Sequence, residues 1–202
     1  MAPLNDYLNN TAERFAKNTP FDWNSIAGKR IAITGATGLI GSQLVRSIMA
    51  ANRLFNSNIS LILPVRNIDK AVGFFGSPNE ISYIQWSLGE NLIFPQPVDY
   101  VIHAACGTSS KSFTLEPATT ISQIVNGGEE TLKAAVDAKA QRYLFLSTME
   151  VYGEVDGLAT EDNLGKLDPM VVRNSYPEAK RLVECLVASY AVQHGLSSSV
   201  LR

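Results

Sequence analysis

The sequence predicts an α/β fold: a doubly wound parallel sheet with helices on both faces, preceded by an N-terminal helical extension. Two observations lead to it. Short runs of aliphatic and β-branched residues alternate with longer segments of helical periodicity. A glycine-rich turn also joins the first short run to the helix that follows it. We assign residues 1–27 to the extension and residues 28–202 to one α/β domain.

Each expected element is bounded by a change of pattern or by turn residues. The strands are expected at residues 30–34, 59–65, 81–86, 98–103, 142–147 and 198–202. The long helices are expected at residues 4–16, 39–54, 119–139 and 174–194. The first helix has one apolar face, made of Leu4, Tyr7, Leu8, Ala12, Phe15 and Ala16. It ends before Pro20, and we expect it to pack on the domain edge without a catalytic role.

A glycine-rich turn follows the first strand, where residues 30–42 read RIAITGATGLIGS. Gly35 allows a sharp turn, Gly38 allows the backbone to approach a pyrophosphate, and Gly41 allows the helix to lie close to the strand. Exposed backbone amides and the helix dipole then favour an anion. The turn therefore predicts a dinucleotide site, although such a turn can also be purely structural. Its cofactor-binding residues would be Gly35, Thr37, Gly38, Leu39, Ile40 and Gly41.

The second strand ends at Arg66. In dinucleotide-binding sheets the residue at this position lies near the adenosine ribose, where an acidic residue binds the 2′-hydroxyl and an arginine can bind a 2′-phosphate. Arg66 therefore favours NADP over NAD. An arginine at the end of a strand can equally be a solvated side chain, or it can cover the adenine ring.

Small residues follow the fourth strand, which ends at His103. Ala104, Ala105 and Cys106 leave room for a cofactor at the carboxyl end of a parallel strand, although packing alone can also require small residues there. We expect His103 to be a core histidine. We expect Cys106 to form part of the wall of the site rather than a nucleophile, because no partner base lies near it in the sequence.

Polar residues follow the fifth strand and open the last long helix. Ser147, Thr148 and Glu150 lie where substrate chemistry is usually placed in parallel sheets. Tyr176 and Lys180 are four residues apart and share one helical face. A nearby ammonium would lower the pKa of the Tyr176 phenol and make it a usable acid or base. The same spacing of tyrosine and lysine also occurs on ordinary solvated helix faces.

The composition is that of a globular protein, with 46% hydrophobic and 18% charged residues. A net charge of −2 gives no general attraction to nucleic acid or to an anionic membrane. The two cysteines are far apart, and their spacing suggests neither a metal site nor a disulfide framework. We see no signal sequence and no apolar run long enough to span a membrane, so we expect a cytoplasmic protein.

Four motifs in a fixed order carry a family resemblance. They are TGATGLIG (34–41), IHAAC (102–106), STMEVYG (147–153) and RNSYPEAKR (173–181). Together they resemble the extended short-chain dehydrogenase/reductase family, in particular its NAD-dependent epimerase/dehydratase group, which acts on nucleotide sugars. The resemblance implies an NAD(P)-binding Rossmann domain over residues 28–202. It also implies that Tyr176 is the catalytic acid or base and that Lys180 binds the nicotinamide ribose. Ser147 and Thr148 would hydrogen-bond the sugar hydroxyl that is oxidised, and Ser147 and Tyr176 would also contact the cofactor.

Residues 148–150 narrow the choice within this group. Thr148, Met149 and Glu150 resemble the Thr-Ser-Glu of UDP-glucuronate decarboxylases, which oxidise C4 of the sugar transiently before the carboxylate is lost. Glu150 would then be catalytic. The dTDP-glucose 4,6-dehydratases carry Thr-Asp-Glu, whose aspartate protonates the leaving hydroxyl, and Met149 cannot do this. A UDP-sugar 4-epimerase is a further alternative, and so is a dinucleotide-binding module without turnover.

Three departures from the family pattern accompany the resemblance. Ile124 stands where family members have an asparagine of the proton relay, and Asn126 lies two places away. Ser87 stands where an acidic residue is expected against adenine. The chain ends at Arg202, inside the expected sixth strand, so we expect the substrate lobe to lie outside it and the isolated chain to be inactive.

The cofactor and partner expectations rest on the resemblance together with Arg66. The resemblance implies tightly held NAD, whereas Arg66 favours NADP, and we expect NAD with NADP as the alternative. The expected partner is a nucleotide-sugar substrate rather than a nucleic acid or a membrane. A homodimer formed through helices 119–139 and 174–194 is implied by the family only.

Overall fold

A computed structural model describes residues 2–95, 97–107 and 110–202 of the chain. Its strands are β1 (Arg30–Thr34), β2 (Ser60–Val65), β3 (Ile81–Gln85), β4 (Tyr100–His103), β5 (Arg142–Leu146) and β6 (Ser198–Leu201). They form one sheet in the order β3-β2-β1-β4-β5-β6, and neighbouring strands are parallel throughout. The prediction of a doubly wound parallel α/β fold is therefore confirmed.

Six α-helices connect or flank these strands in the described part of the chain. They are α1 (Ala2–Asn18), α2 (Leu39–Phe55), α3 (Ile68–Phe75), α4 (Ser110–Leu115), α5 (Pro117–Asp137) and α6 (Ser175–His194). The short helices α3 and α4 were not predicted. A capping signal for α3 is present in the sequence, because the Asn67 side chain accepts a hydrogen bond from the Lys70 amide at 2.7 Å. No helix among the described residues is both long and apolar enough to cross a membrane.

The strand order reverses at β1, which pairs with β2 on one side and with β4 on the other. Thr34 at the end of β1 is in register with His103 at the end of β4. His103 is in turn in register with Phe145 of β5. The carboxyl ends of β1, β4 and β5 thus lie side by side at the switch point, where ligands bind in open α/β sheets.

Two large apolar clusters fill the two sides of the sheet, and a small third one contains Trp86, Leu92 and Ala134. The first lies under α2 and α3, and its buried members all fall between Ala16 and Ile81. The second lies under α5 and α6 and includes Leu132, Tyr143, Phe145 and Val183. Its other buried members extend along the chain as far as Leu196. The second cluster supports the helix that carries Tyr176 and Lys180.

The N-terminal helix packs on α2, but through a different face from the one we predicted. Ala12 and Ala16 are buried as expected, whereas Leu4, Tyr7 and Phe15 are exposed. The physical reason is Arg46 of α2, which is 2% exposed. Its guanidinium donates to the side chains of Asn9 (2.5 Å) and Asn5 (3.0 Å) of α1. These hydrogen bonds bring the face of α1 that carries Asn5, Asn9 and the buried alanines against α2, although Arg46 Nε has no hydrogen-bond partner among the described residues.

Candidate active site

The glycine-rich turn is packed so tightly that side chains are excluded from it. Gly35 has a φ of +70°, and a Cβ there would overlap the backbone of Ala104. A Cβ at Gly41 would overlap the carbonyl oxygen of Gly35. Gly38 is the N-cap of α2 and offers no side-chain cap, so the first amides of this helix remain available. The backbone here therefore fits an anion such as the pyrophosphate of a dinucleotide.

The remaining residues predicted in this turn lie around the same backbone. Leu39 and Ile40 are exposed on the first turn of α2, and Thr37 is half-buried before it. Exposure leaves these side chains able to contact a bound molecule. Their assignment to cofactor binding stays a prediction.

A buried hydrogen bond ties the glycine-rich turn to the end of β4. The Thr34 hydroxyl and His103 Nδ1 lie 2.8 Å apart, and the Ala105 amide donates to the same hydroxyl at 3.2 Å. The His103 ring also stacks on Phe145, with 5.7 Å between ring centroids. Burial, assisted by the positive charge of Lys180, lowers the pKa of His103 to about 3. His103 is therefore a neutral core residue, as predicted, and it fixes the backbone at Ala105.

Tyr176 lies almost buried at the start of α6, with its ring stacked 4.2 Å from that of Phe113. Burial raises the pKa of the phenol, Cys106 and the negative charge of Glu150 act in the same direction, and a hydrogen bond with Thr148 lowers it. The prediction that a nearby ammonium lowers the pKa of Tyr176 is therefore wrong for this structure. Desolvation outweighs every favourable contact of the phenolate.

The reason lies partly in the direction of the Lys180 side chain. Its Nζ donates to the carbonyl oxygen of Leu146 at 2.8 Å and lies 4.5 Å from the centre of the Phe145 ring. Lys180 is 3% exposed, and this burial lowers the pKa of its ammonium, while Cys106 and Glu184 raise it. The ammonium thus lies at the end of β5, within the group of side chains around Tyr176.

Cys106 lies next to both Tyr176 and Lys180. The sequence did not predict this contact, because Cys106 is far from both residues along the chain. Hydrogen bonds with Tyr176 and Lys180 lower the pKa of its thiol, but burial outweighs them and raises it. Its Sγ donates to the carbonyl oxygen of Gly107 at 3.2 Å. A thiol with a raised pKa is a poor nucleophile, which supports the prediction that Cys106 is a wall residue.

Thr148 follows β5 and directly precedes a short 3₁₀ helix, residues 149–152, which contains Glu150. The Thr148 hydroxyl caps this helix by accepting a hydrogen bond from the Glu150 amide at 3.3 Å. The Glu150 carboxylate accepts two hydrogen bonds from Arg173, at 2.9 and 3.2 Å. Arg173 in turn lies 5.3 Å from the centre of the Phe113 ring that stacks on Tyr176. We had assigned Arg173 no role, although it is part of the motif that precedes Tyr176.

Ser147 has a partner that we did not predict. Its hydroxyl donates to the carboxylate of Glu184 at 2.5 Å. The same carboxylate forms an ion pair with Arg202, with 2.7 Å between Nη2 and Oε2. The assignment of Ser147 to the cofactor and the sugar hydroxyl stays a prediction, but in this structure its proton is engaged elsewhere.

The departures on α5 and after β3 have clear structural positions. Ile124 is buried in the second cluster, which also contains Tyr176. Asn126 is exposed and donates to the Ser122 hydroxyl at 3.1 Å, so it does not replace the expected asparagine. The Ser87 amide donates to the Glu90 carboxylate at 2.9 Å. An acidic side chain therefore lies beside position 87, although residue 87 itself is not acidic.

Arg66 is exposed at the end of β2, on the other side of β1 from the residues around Tyr176. Its backbone carbonyl accepts a hydrogen bond from the Gln85 side chain at 2.6 Å. Among the described residues, no carboxylate forms an ion pair with its guanidinium. This side chain could therefore contact an anion, and its assignment to the cofactor stays a prediction.

Comparisons of the sequence with known proteins give consistent matches. A model of the NAD dependent epimerase/dehydratase family matches residues 31–202. UDP-glucuronic acid decarboxylase 6 of Arabidopsis thaliana is 32% identical over 176 residues, which make up 86% of this chain and 49% of the plant protein. The chain thus spans about half the length of the curated relatives it matches.

Solved structures resemble the fold over a similar range. The UDP-glucuronic acid 4-epimerase from Bacillus cereus, in complex with UDP-glucuronic acid and NAD, has a TM-score of 0.67 and 21% identity, covering 86% of this chain and 55% of its own. DesIV, a dTDP-glucose 4,6-dehydratase from Streptomyces venezuelae with NAD and TYD bound, has a TM-score of 0.67 and 23% identity, covering 85% and 54%. At these identities the likeness concerns the fold alone.

Proposed function

Because this chain belongs to the NAD-dependent epimerase/dehydratase family, we propose that it binds NAD and forms the cofactor-binding half of an enzyme that modifies a nucleotide sugar. The observation that carries the proposal is the grouping of Tyr176, Lys180 and Thr148 beside the glycine-rich turn. The names of the relatives favour UDP-glucuronate as the sugar nucleotide and decarboxylation as the reaction. NAD is favoured over NADP because several of the structural neighbours are complexes with NAD.

The chain's own residues suffice to hold such a cofactor. The free amides at the start of α2 would bind the pyrophosphate, and Lys180 would donate to the nicotinamide ribose. The small side chains of Ala104 and Ala105 would leave room for the nicotinamide ring. When bound, NAD supplies the hydride acceptor that oxidation of the sugar requires.

Tyr176 would exchange the proton of the sugar hydroxyl at C4. Its phenolate accepts this proton during oxidation, and its phenol returns the proton during reduction. Because burial raises the pKa of Tyr176, the oxidation step should speed up as pH rises toward that pKa. Thr148, already hydrogen-bonded to Tyr176, would hold the same hydroxyl.

Decarboxylation follows from general carbonyl chemistry once C4 is a ketone. The carboxyl carbon of a glucuronate is then β to this ketone, so the electron pair of the bond to carbon dioxide can move into an enolate. Met149 cannot supply the acid that a dehydratase needs at this position, which favours decarboxylation. Glu150, whose carboxylate is held by Arg173, lies close enough to Tyr176 to affect the pKa of its phenol, and it is the candidate catalytic carboxylate of this segment.

The test is to assay the full-length protein with UDP-glucuronate, dTDP-glucose and UDP-galactose while recording carbon dioxide and the sugar products. We expect carbon dioxide to be released from UDP-glucuronate and no turnover of the other two substrates. Turnover of either of the other substrates would assign the dehydratase or epimerase reaction instead. Binding of NAD without turnover of any sugar nucleotide would assign a dinucleotide-binding module, an alternative that buried Ile124 in place of the relay asparagine favours.

Tyr176→Phe is the matching variant, because it retains the ring that stacks on Phe113 and removes only the hydroxyl. We expect turnover to fall by about 10²–10⁴-fold, the loss typical of a general acid or base, with NAD affinity nearly unchanged. Tyr190→Phe, on the same helix but far along it, is the control and should keep full turnover. Full activity in Tyr176→Phe would contradict the assignment.

A further inference from the structure

Glu184 is a partly buried carboxylate that the proposed reaction leaves unused. It lies on α6 one turn beyond Lys180, and its side chain is 12% exposed. Its two oxygens accept hydrogen bonds from Ser147 and from Nε and Nη2 of Arg202, at 2.5 to 3.2 Å. The carboxylate is thus held by a hydroxyl on one side and by a guanidinium on the other.

The partners of Glu184 come from two neighbouring strand ends. Ser147 directly follows β5, and Arg202 directly follows β6. The Ser147 amide also donates to the Leu201 carbonyl at 2.7 Å, so the two ends are joined. Leu146, the residue before Ser147, supplies the carbonyl that accepts the hydrogen bond from Lys180. Glu184 therefore fixes the backbone to which the lysine is bound.

Glu184 also places a negative charge near the Lys180 ammonium. Burial lowers the pKa of Lys180, and only Cys106 and Glu184 raise it appreciably. The other groups around the ammonium are the neutral His103, the phenol of Tyr176 and the ring of Phe145. Unlike these groups, Glu184 is a carboxylate, and it is held in place by the Ser147 hydroxyl and the Arg202 guanidinium.

We propose that Glu184 is a positioning residue for Lys180: one helical turn beyond the lysine, its carboxylate holds Ser147 and so anchors the end of β5, where the Leu146 carbonyl orients the ammonium toward the cofactor. The inference rests on the proposed function in taking Lys180 as the cofactor-binding lysine. If Glu184 had only a structural role, it would hold α6 and the ends of β5 and β6 together without affecting the titration of Lys180. The two roles therefore differ in a measurable property.

The test follows the titration of Lys180 by NMR in chain labelled with ¹³C and ¹⁵N at the lysine side chains, and Lys180→Arg identifies the signal. Burial lowers the pKa of Lys180, and the Glu184 carboxylate raises it. Glu184→Gln removes the carboxylate, so the ammonium should lose its proton at a lower pH than in the wild type. Glu184→Asp keeps a charge and should restore much of the wild-type midpoint. Glu130→Gln, which removes a partly exposed carboxylate paired with Lys133 on α5, should leave the Lys180 midpoint unchanged.

NAD affinity measured across the same pH range gives the second readout. Between the two Lys180 midpoints, Glu184→Gln should bind NAD about tenfold more weakly than the wild type, the equivalent of one charge-assisted hydrogen bond. An unchanged Lys180 midpoint in Glu184→Gln would overturn the inference, even if the variant were less stable. A wild-type chain that does not bind NAD would instead overturn the proposed function, while the titration would still decide the role of Glu184.

Discussion

At the scale of single residues, burial sets the protonation of the site, and His103 shows it most clearly. Its pKa falls from 6.5 to about 3 on folding. Between pH 6.5 and about 3, His103 is therefore protonated in the unfolded chain and neutral in the folded chain. Folding stability should decline as the pH falls from about 6.5 to about 3, by roughly 1.4 kcal/mol for each pH unit, and this loss is absent above pH 6.5.

Urea unfolding of wild type and His103→Asn at several pH values between 8 and 4 measures this contribution. The variant should be less stable at pH 8, because it leaves space beside Phe145. Its stability should nevertheless fall less steeply than that of the wild type as the pH is lowered. Parallel pH dependences of the two chains would show that His103 does not carry the effect.

Residue spacing was sufficient to predict some of the candidate site, but not its partners. Tyr176 and Lys180 could be paired because both lie on one helix, where a separation of four residues fixes their relation. Glu150 and Arg173 are 23 residues apart, and Ser147 and Glu184 are 37 apart. Those pairs depend on how α6 lies against β5. The sequence also could not weigh burial against charge at Tyr176, because desolvation depends on the packed surroundings.

At the scale of elements, β5 separates a core face from a lightly covered face. Phe145 is 1% exposed and packs in the second cluster, whereas its neighbour Leu144 is half-buried on the opposite face. Phe145→Ala should lower the free energy of unfolding by about 3–5 kcal/mol. Leu144→Ala, the matched control, should lower it by about 1 kcal/mol or less. Chemical denaturation measures both, and equal losses would contradict the assignment of the faces.

The element whose packing was mispredicted is α1, and the cause is specific. Hydrophobic periodicity placed Leu4, Tyr7 and Phe15 toward the domain, since it counts apolar side chains and ignores buried charges. Arg46 of α2 needs hydrogen-bond acceptors, and Asn5 and Asn9 supply them. Periodicity located the helix correctly, and a polar contact then decided which face it buries.

At the scale of the whole molecule, the sequence predicted the sheet well because each strand is a short apolar run bounded by turns. The described chain contains the glycine-rich turn, the lysine and the switch point, so it should bind NAD without further protein. At 100 times the dissociation constant, NAD should stabilise the chain by about 2.7 kcal/mol. For a chain of this size that is a rise in Tm of roughly 5–10 °C.

Thermal unfolding with and without NAD tests this prediction. Lys180→Met should give a smaller rise, because the donor to the nicotinamide ribose is lost. Lys133→Met, which changes an exposed lysine of α5, should give the wild-type rise. A chain whose Tm does not respond to NAD would show that cofactor binding needs parts of the protein outside residues 1–202.

The separation of the two apolar clusters also has a consequence for the order in which the protein is synthesised. Every buried member of the first cluster has been translated by Ile81, before β4 begins. The second cluster includes Leu196 and is complete only when synthesis approaches β6. On the ribosome, the buried residues of the first cluster can therefore come together before the chain contains Tyr176 or Lys180, whereas the contact of Gly35 with Ala104 has to wait for β4.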